Sequence, residues 1–124
     1  MKTALLLIAH GSRQVEANQD LYLLVSDLRA TGRFAAVEAS FLELASPDIE
    51  SAGSSCVAQG AERVVLLPYF LSAGVHVRRD LTAMRDRLAQ RFPSVDFRLA
   101  DPLGPHPLLA QIVLERARAV EGMR

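Results

Sequence analysis

Apolar residues along the chain recur with two alternating periods, one typical of buried strands and the other typical of amphipathic helices. Residues 3–9 form a nearly continuous apolar run, as expected of a strand covered on both faces. Apolar positions 17, 21, 24 and 28 then recur at helical spacing, and Thr31-Gly32 closes this helix. Further strands are predicted over 35–42, 63–69 and 95–100. Further helices are predicted over 46–59, with Ser46 as N-cap and Pro47 at the first helical position, over 77–91 and over 107–120.

This order of elements predicts the fold class. Strands that alternate with helices of this length indicate an α/β domain of flavodoxin-like shape, with a mainly parallel four-stranded sheet and helices on both faces. The 124 residues fit one domain, which we assign to residues 1–124. In such sheets ligands bind beyond the carboxyl ends of the strands. The residues that follow each strand are therefore the candidates for function.

Composition narrows the range of partners and compartments. Fourteen basic side chains balance fourteen acidic ones, so no bulk charge favours nucleic acid or a membrane surface. The apolar run at residues 5–9 is too short to span a bilayer and lacks the features of a signal peptide. The single cysteine, Cys56, excludes an internal disulfide and suits the reducing cytoplasm. Its small and apolar neighbours predict a buried helical position.

Three potential metal ligands follow three different strands. They are His10, Glu43 and His76. Alone, each is better explained as a capping, surface or solvated residue than as a ligand. Together at one edge of the sheet, two imidazoles and a carboxylate suit a borderline divalent ion such as cobalt, iron(II), nickel or zinc. Three protein ligands would leave coordination positions open, as a reactive site requires.

The neighbours of these ligands fit a binding site. Gly11 would allow a tight turn beside His10, and Gly74 would let the backbone swing before His76. The apolar residues Phe70, Leu71 and Val75 would line a dry pocket for a flat hydrophobic ring. On composition alone, they could equally cover the end of the sheet.

Several segments together carry a resemblance to a known family. They are Ala9-His10-Gly11-Ser12-Arg13, residues 41–47, residues 67–71, residues 73–81 and residues 102–107. In this order and at this spacing they resemble the short-form sirohydrochlorin cobaltochelatase (CbiX) family, whose relatives include the sirohydrochlorin ferrochelatases. The match covers most of the chain.

The resemblance implies one half of a class II chelatase, completed by homodimerisation in the cytoplasm. It implies that a divalent metal ion (Co²⁺ foremost, Fe²⁺ or Ni²⁺ otherwise) is a substrate for insertion into sirohydrochlorin, and that no cofactor is permanently bound. The family's paired histidines map onto His10 and His76, and Glu43 takes the place of its third polar group. Five further residues of the same segments are assigned to substrate binding: Ser12, Phe70, Leu71, Gly74 and Val75.

Arginines beside the proposed ligands are candidates for pairing with the carboxylates of the macrocycle. Arg13 follows the histidine turn directly, and Arg78 and Arg79 lie near His76. For Arg78 and Arg79 the alternative is a solvated start of a helix. His106, between two prolines, is expected to cap or pack the last helix rather than contact substrate.

Three other functions share some of these features. A metal carrier would use the same ligands without accelerating insertion. A histidine phosphatase would need an arginine before the histidine, where this chain has Ala9. A nucleotide-binding or signalling module would need an acidic phosphoacceptor after a strand, and Glu43 is a poor candidate. No glycine-rich phosphate loop of the GxGxxG or Walker type follows any predicted strand.

Overall fold

Strands and helices alternate along the computed structural model, which describes residues 1–123. In chain order the elements are β1 (Thr3–Ala9), α1 (Val15–Ala30), β2 (Ala36–Phe41), α2 (Ile49–Ala58), β3 (Arg63–Pro68), α3 (Val75–Arg91), β4 (Asp96–Leu99) and α4 (Pro107–Glu121). Each strand begins and ends within one residue of its predicted bounds. The predicted order of elements is confirmed.

The four strands form one parallel sheet in the order β2-β1-β3-β4. β1 is a central strand, with Leu6 paired to Glu38 of β2 on one side and to Leu66 of β3 on the other. The expected α/β fold with a parallel sheet is therefore confirmed. All four strands present their carboxyl ends at the same edge, which we call the carboxyl edge.

Alternate residues of β1 enter two separate apolar clusters, as the two-residue period of a strand requires. Leu6 and Ile8 pack with α2 and α3 on one face of the sheet. Leu5 and Leu7 pack with α1 on the other face. Cys56 belongs to the first cluster and is fully buried, which confirms its predicted position. Burial raises the pKa of its thiol to about 12, so this thiol is unreactive at neutral pH.

Two helices begin elsewhere than predicted. The assignment of Ser46 as N-cap of α2 was wrong: the helix begins at Ile49, and the Asp48 carboxylate accepts a hydrogen bond from the Ser51 N–H at 2.8 Å. The physical reason is that residues 42–47 turn back on the end of β2, where the Phe41 N–H donates to the Pro47 carbonyl at 3.0 Å. α3 begins at Val75, two residues before the predicted start, so His76 lies in its first turn.

Helices cover both faces of the sheet, as predicted, with α1 on one face and α2 and α3 on the other. Within residues 1–123, α1, α2 and α3 each bury residues against the sheet, whereas α4 has no buried residue. The part of the sheet face beside α1 is consequently left open. None of the helices described in residues 1–123 combines the length and the apolar character needed to cross a membrane.

Candidate active site

His10 and Glu43 are brought together by an extension of the β1–β2 pairing beyond the strands. The Leu42 N–H donates to the Ala9 carbonyl at 2.9 Å, and the Glu43 N–H donates to the His10 carbonyl at 3.1 Å. Gly11 next to His10 has φ of 95°, and a Cβ there would collide with the Glu43 carbonyl oxygen. Glycine is thus required both by the backbone conformation and by the close approach of the two loops.

The loop that carries His10 is fixed by a side chain that sequence reasoning missed. Asn18, in the first turns of α1, donates from Nδ2 to the Ser12 carbonyl at 2.8 Å. Its Oδ1 accepts from the Ser12 N–H at 3.0 Å. The signal available in the sequence was an amide side chain near the start of a predicted helix, just after a loop, since such side chains can satisfy backbone groups of the loop. The Ser12 hydroxyl in turn accepts from the Gln14 N–H, so it also serves the loop.

The imidazole of His10 is stacked on the ring of Phe70. The ring centroids are 4.1 Å apart and the planes are inclined by 22°. The Tyr69 N–H donates to the Ile8 carbonyl at 2.7 Å, which fixes the start of the Phe70 loop beside the end of β1. Phe70 is only 5% exposed, whereas His10 is exposed. Phe70 therefore supports the imidazole from beneath; its predicted contact with substrate stays a prediction.

His76 lies in the first turn of α3 rather than in the preceding loop, where it was predicted. It is exposed, as are His10 and Glu43. The predicted use of Gly74 as a point of unusual backbone conformation was wrong, because its φ is −73° and it forms the N-cap of α3. Helical geometry explains this difference, since an N-cap residue has ordinary extended backbone that other residues also adopt.

The three predicted ligands do not form a closed metal site in one chain. Among residues 1–123, histidine, cysteine, aspartate and glutamate side chains form no group of three or more that could hold a metal ion. The ligand roles of His10, Glu43 and His76 stay predictions. One chain on its own offers, at most, a sparse set of ligands for an incoming ion.

The predicted arginines flank this edge. Arg13 and Arg78 are exposed, and the Arg78 guanidinium donates from Nε to the Ala73 carbonyl at 3.1 Å. The first turn of α3 carries no acidic residue. Cations at a helix N-terminus are unfavourable for the helix dipole. Arg78 is therefore placed where an anionic partner would be stabilising.

Apolar side chains project into solvent around the same edge. Leu71 and Val75, both predicted, are joined by Leu44 and Tyr69, which sequence reasoning missed; Tyr69 is 38% exposed and Val75 is 70% exposed. Leu44 has φ of 64°, a conformation that residues with side chains rarely adopt and that often marks a functional segment. We call these four residues the apolar rim. Its chemistry suits one face of a flat, hydrophobic ligand.

His106 is the N-cap of α4. Its Nδ1 accepts a hydrogen bond from the Leu108 N–H at 3.1 Å. The predicted capping role is confirmed, and this histidine is engaged in structure.

Comparison with known proteins connects this arrangement to a family. A family model described as CbiX matches residues 4–120. The chloroplastic sirohydrochlorin ferrochelatase of Arabidopsis thaliana is 38% identical over 112 residues, which cover 90% of this chain and 50% of that protein. The sirohydrochlorin cobaltochelatase of Sulfolobus acidocaldarius is 30% identical over 121 residues, which cover 95% of this chain and 94% of that protein.

A solved structure has the same fold. The sirohydrochlorin chelatase SirB from Bacillus subtilis subspecies spizizenii, in complex with cobalt, superposes with a TM-score of 0.88 at 32% identity. The match covers 97% of this chain and 51% of SirB. The chain likewise spans half or less of the length of the first curated relatives that it matches. Relatives of this fold therefore exist both at about the present length and at about twice that length.

Proposed function

This chain belongs to the CbiX family, and from that premise we propose that it is a chelatase that inserts a divalent metal ion into sirohydrochlorin. The observation that carries the proposal is the exposed imidazole of His10, held on the Phe70 ring at an edge lined by the apolar rim. A flat macrocycle would lie on the rim with its centre open to the imidazole. The relatives support the same substrate and reaction.

Insertion replaces two protons on the pyrrole nitrogens with one divalent cation. We assign His10 and His76 to the incoming ion, because neutral imidazole binds cobalt, iron(II) and nickel. One of the histidines, or Glu43, accepts the protons that leave the macrocycle. A sparse ligand set favours transfer, since an ion held by a closed set would be released too slowly. Co²⁺ is the proposed physiological ion, with Fe²⁺ and Ni²⁺ as alternatives.

The rim of sirohydrochlorin carries carboxylates, and we assign Arg13 and Arg78 to bind them. Arginine pairs with carboxylate through two parallel hydrogen bonds, which orients the ligand as well as attracting it. Ser12, Gly74, Leu71 and Val75 complete the proposed contact surface. The pairing would also neutralise the positive charge that Arg78 places at the start of α3.

We propose further that two copies of the chain form the working enzyme in the cytoplasm. Two observations support the homodimer: one chain gathers too few ligands within residues 1–123, and several relatives have about twice its length. A second copy would supply the missing half of the site. The unpaired, buried Cys56 suits a reducing compartment. The metal is a substrate, and no permanently bound cofactor is proposed.

The test is anaerobic insertion of Co²⁺, Fe²⁺ and Ni²⁺ into sirohydrochlorin, followed by absorbance against the uncatalysed reaction. The wild-type protein should accelerate insertion, and His10→Ala and His76→Ala should each lower the rate about 100-fold or more. His106→Asn is the matched control: it removes an imidazole of this chain but keeps a capping side chain on α4. Its rate should equal that of the wild type.

Two outcomes would contradict the proposal. If the wild type binds the ions but never exceeds the background rate, the chain is a metal carrier. If His10→Ala and His76→Ala remain folded and insert metal as fast as His106→Asn, the ligand assignment is wrong.

A further inference from the structure

Leu44 has a backbone conformation that a leucine disfavours. Within residues 1–123 it is the one residue other than glycine with a positive φ, of 64°. In this left-handed region the Cβ crowds the following carbonyl oxygen, which disfavours the conformation about tenfold for a residue with a side chain. Asparagine and aspartate can compensate through local hydrogen bonds, but a leucine side chain has no polar atom to do so. The presence of leucine here therefore calls for an explanation in its side chain.

Packing in the core does not provide that explanation. Leu44 lies in the fold-back of residues 42–47, between a residue that packs on one face of the sheet and a residue that packs on the other. Leu42 contacts the apolar cluster on the α2 and α3 face, and Ala45 contacts the cluster on the α1 face. In the part of the chain that the structure describes, Leu44 belongs to neither cluster and is 52% exposed.

The turn at Leu44 repeats, without glycine, a turn beside another candidate ligand. His10 is followed by Gly11 with φ of 95°, and Glu43 is followed by Leu44 with φ of 64°. The two turns touch, since a Cβ at Gly11 would collide with the Glu43 carbonyl oxygen. Glycine removes the conformational strain at the first turn. At the second turn the strain persists, and an exposed apolar side chain lies beside the candidate site.

Leu44 is the one member of the apolar rim on its side of His10. His10 follows β1, which lies between β2 and β3 in the sheet. Leu44 follows β2, whereas Tyr69, Leu71 and Val75 all follow β3. Neighbouring strands are about 4.8 Å apart, so the segments that flank the end of β1 are separated by about 10 Å. This separation is comparable with the width of a flat four-ring macrocycle.

We infer that Leu44 is a substrate contact that keeps the macrocycle centred over the imidazole of His10. The inference deepens the proposed function and rests on it. A flat ring supported only by the rim residues after β3 could slide toward Glu43, and its pyrrole nitrogens would then leave the imidazole. A leucine after β2 supports the opposite side of the ring. Binding of the apolar ring surface to this leucine offsets the strain of its backbone.

Two substitutions separate the side chain from the backbone strain. Leu44→Ala removes the apolar contact and keeps the strain, whereas Leu44→Gly removes both. Both should raise the Kd for metal-free sirohydrochlorin about fivefold, because the exposed half of the leucine surface no longer buries against the ring. The Kd is measured by titration, followed by the fluorescence of the macrocycle.

Stability should change in the opposite sense to binding between these two variants. The urea midpoint of Leu44→Gly should exceed that of Leu44→Ala by roughly 0.5 M, since glycine adopts a positive φ without strain. The more stable variant should thus bind sirohydrochlorin no better than the less stable one. A wild-type Kd in either variant would overturn the inference, because affinity would then not depend on the leucine side chain.

A rescue variant and a control keep the test independent of folding defects. Leu44→Met retains an apolar side chain of similar volume and should bind sirohydrochlorin within about twofold of the wild type. Leu23→Ala removes another exposed leucine, 66% exposed on α1 and outside the apolar rim, and should leave the Kd unchanged. A fivefold loss of affinity in Leu44→Met or in Leu23→Ala would overturn the inference.

Binding without metal separates this inference from the proposed function. Sirohydrochlorin binding that depends on Leu44, in a protein that does not accelerate insertion, would support the inference and contradict the chelatase. Accelerated insertion by a protein whose Kd is the same with leucine, alanine or glycine at position 44 would overturn the inference and leave the chelatase standing.

Discussion

The imidazole of His10 and the ring of Phe70 lie nearly parallel, inclined by 22° with centroids 4.1 Å apart, although 60 residues separate them in the chain. The two residues follow neighbouring strands, so the β1–β3 pairing brings their segments close together. Phe70 is almost completely buried and His10 is not. Phe70 is therefore a positioning residue for the proposed metal ligand.

Phe70→Leu should slow metal insertion about tenfold while the KM for sirohydrochlorin changes little. The reason is that aromatic stacking contributes about 0.5–1.5 kcal/mol beyond burial, which the apolar but non-aromatic leucine does not replace. The His10 ring protons should also move downfield in the NMR spectrum as the ring current of Phe70 disappears. Leu71→Ala, at the exposed neighbour, is the control for that shift. An unchanged His10 spectrum in Phe70→Leu would contradict the positioning role.

Gly11→Ala should destabilise the fold more than Gly60→Ala. The two glycines have nearly the same φ, 95° and 93°, but a Cβ at Gly60 meets open space whereas one at Gly11 collides with the Glu43 carbonyl. Gly60→Ala therefore measures the backbone strain alone, about 1 kcal/mol, and Gly11→Ala adds the steric cost. Urea denaturation of both variants gives the difference. Equal losses of stability in the two variants would mean that the loops carrying Gly11 and Glu43 can move apart without cost.

Asn18→Ala should lower the free energy of unfolding by about 1–2 kcal/mol and should also slow insertion. The change removes two hydrogen bonds to the backbone of Ser12, each contributing about 1 kcal/mol, and loosens the loop that carries His10. Gln19→Ala, at the exposed neighbouring position, is the control. Normal insertion by an Asn18→Ala protein of reduced stability would show that the two hydrogen bonds between Asn18 and Ser12 matter for folding alone.

Asp48→Ala should cost about 1 kcal/mol of stability at neutral pH, the usual effect of losing a helix cap. The hydrogen bond from the Ser51 N–H holds the pKa of Asp48 below its ordinary value. Because the pKa of Asp48 is lower in the folded than in the unfolded state, its carboxylate stabilises the fold fully at pH values above the unfolded-state pKa. This stabilisation is lost as the pH falls through the folded-state pKa. The difference between wild type and Asp48→Ala should therefore shrink in acid.

Ser46→Ala serves as the control for this capping measurement. Since Ser46 does not cap α2 in the structure, its replacement should leave stability nearly unchanged at every pH. A larger loss from Ser46→Ala than from Asp48→Ala would instead support Ser46 as the cap.

The strands were predictable because a buried parallel strand leaves a short, nearly continuous apolar run, as residues 3–9 do. Helix starts were less predictable, since both Ser46 and Asp48 have capping side chains and only the fold-back of residues 42–47 decides between them. The amphipathic pattern of α4 predicted a helix with a packing face. It could not tell whether that face packs within the same chain.

At the candidate site, the sequence predicted which residues come to the carboxyl edge but not how they contact one another. His10 was predictable because it follows β1 directly. Its stack with Phe70 depends on the bend of a loop after β3, and the role of Asn18 depends on the shape of the loop before α1. Such contacts between distant segments leave no periodic pattern in the sequence.

Phe70 contacts two different parts of the molecule, because its carbonyl also accepts a hydrogen bond from the Leu103 N–H. The side chain of Phe70 supports His10, and its carbonyl holds the loop that leads into α4. Phe70 therefore takes part both in the support of the imidazole and in the anchoring of the loop before α4. A substitution that shifts the Phe70 backbone would therefore disturb the imidazole and the start of α4 together.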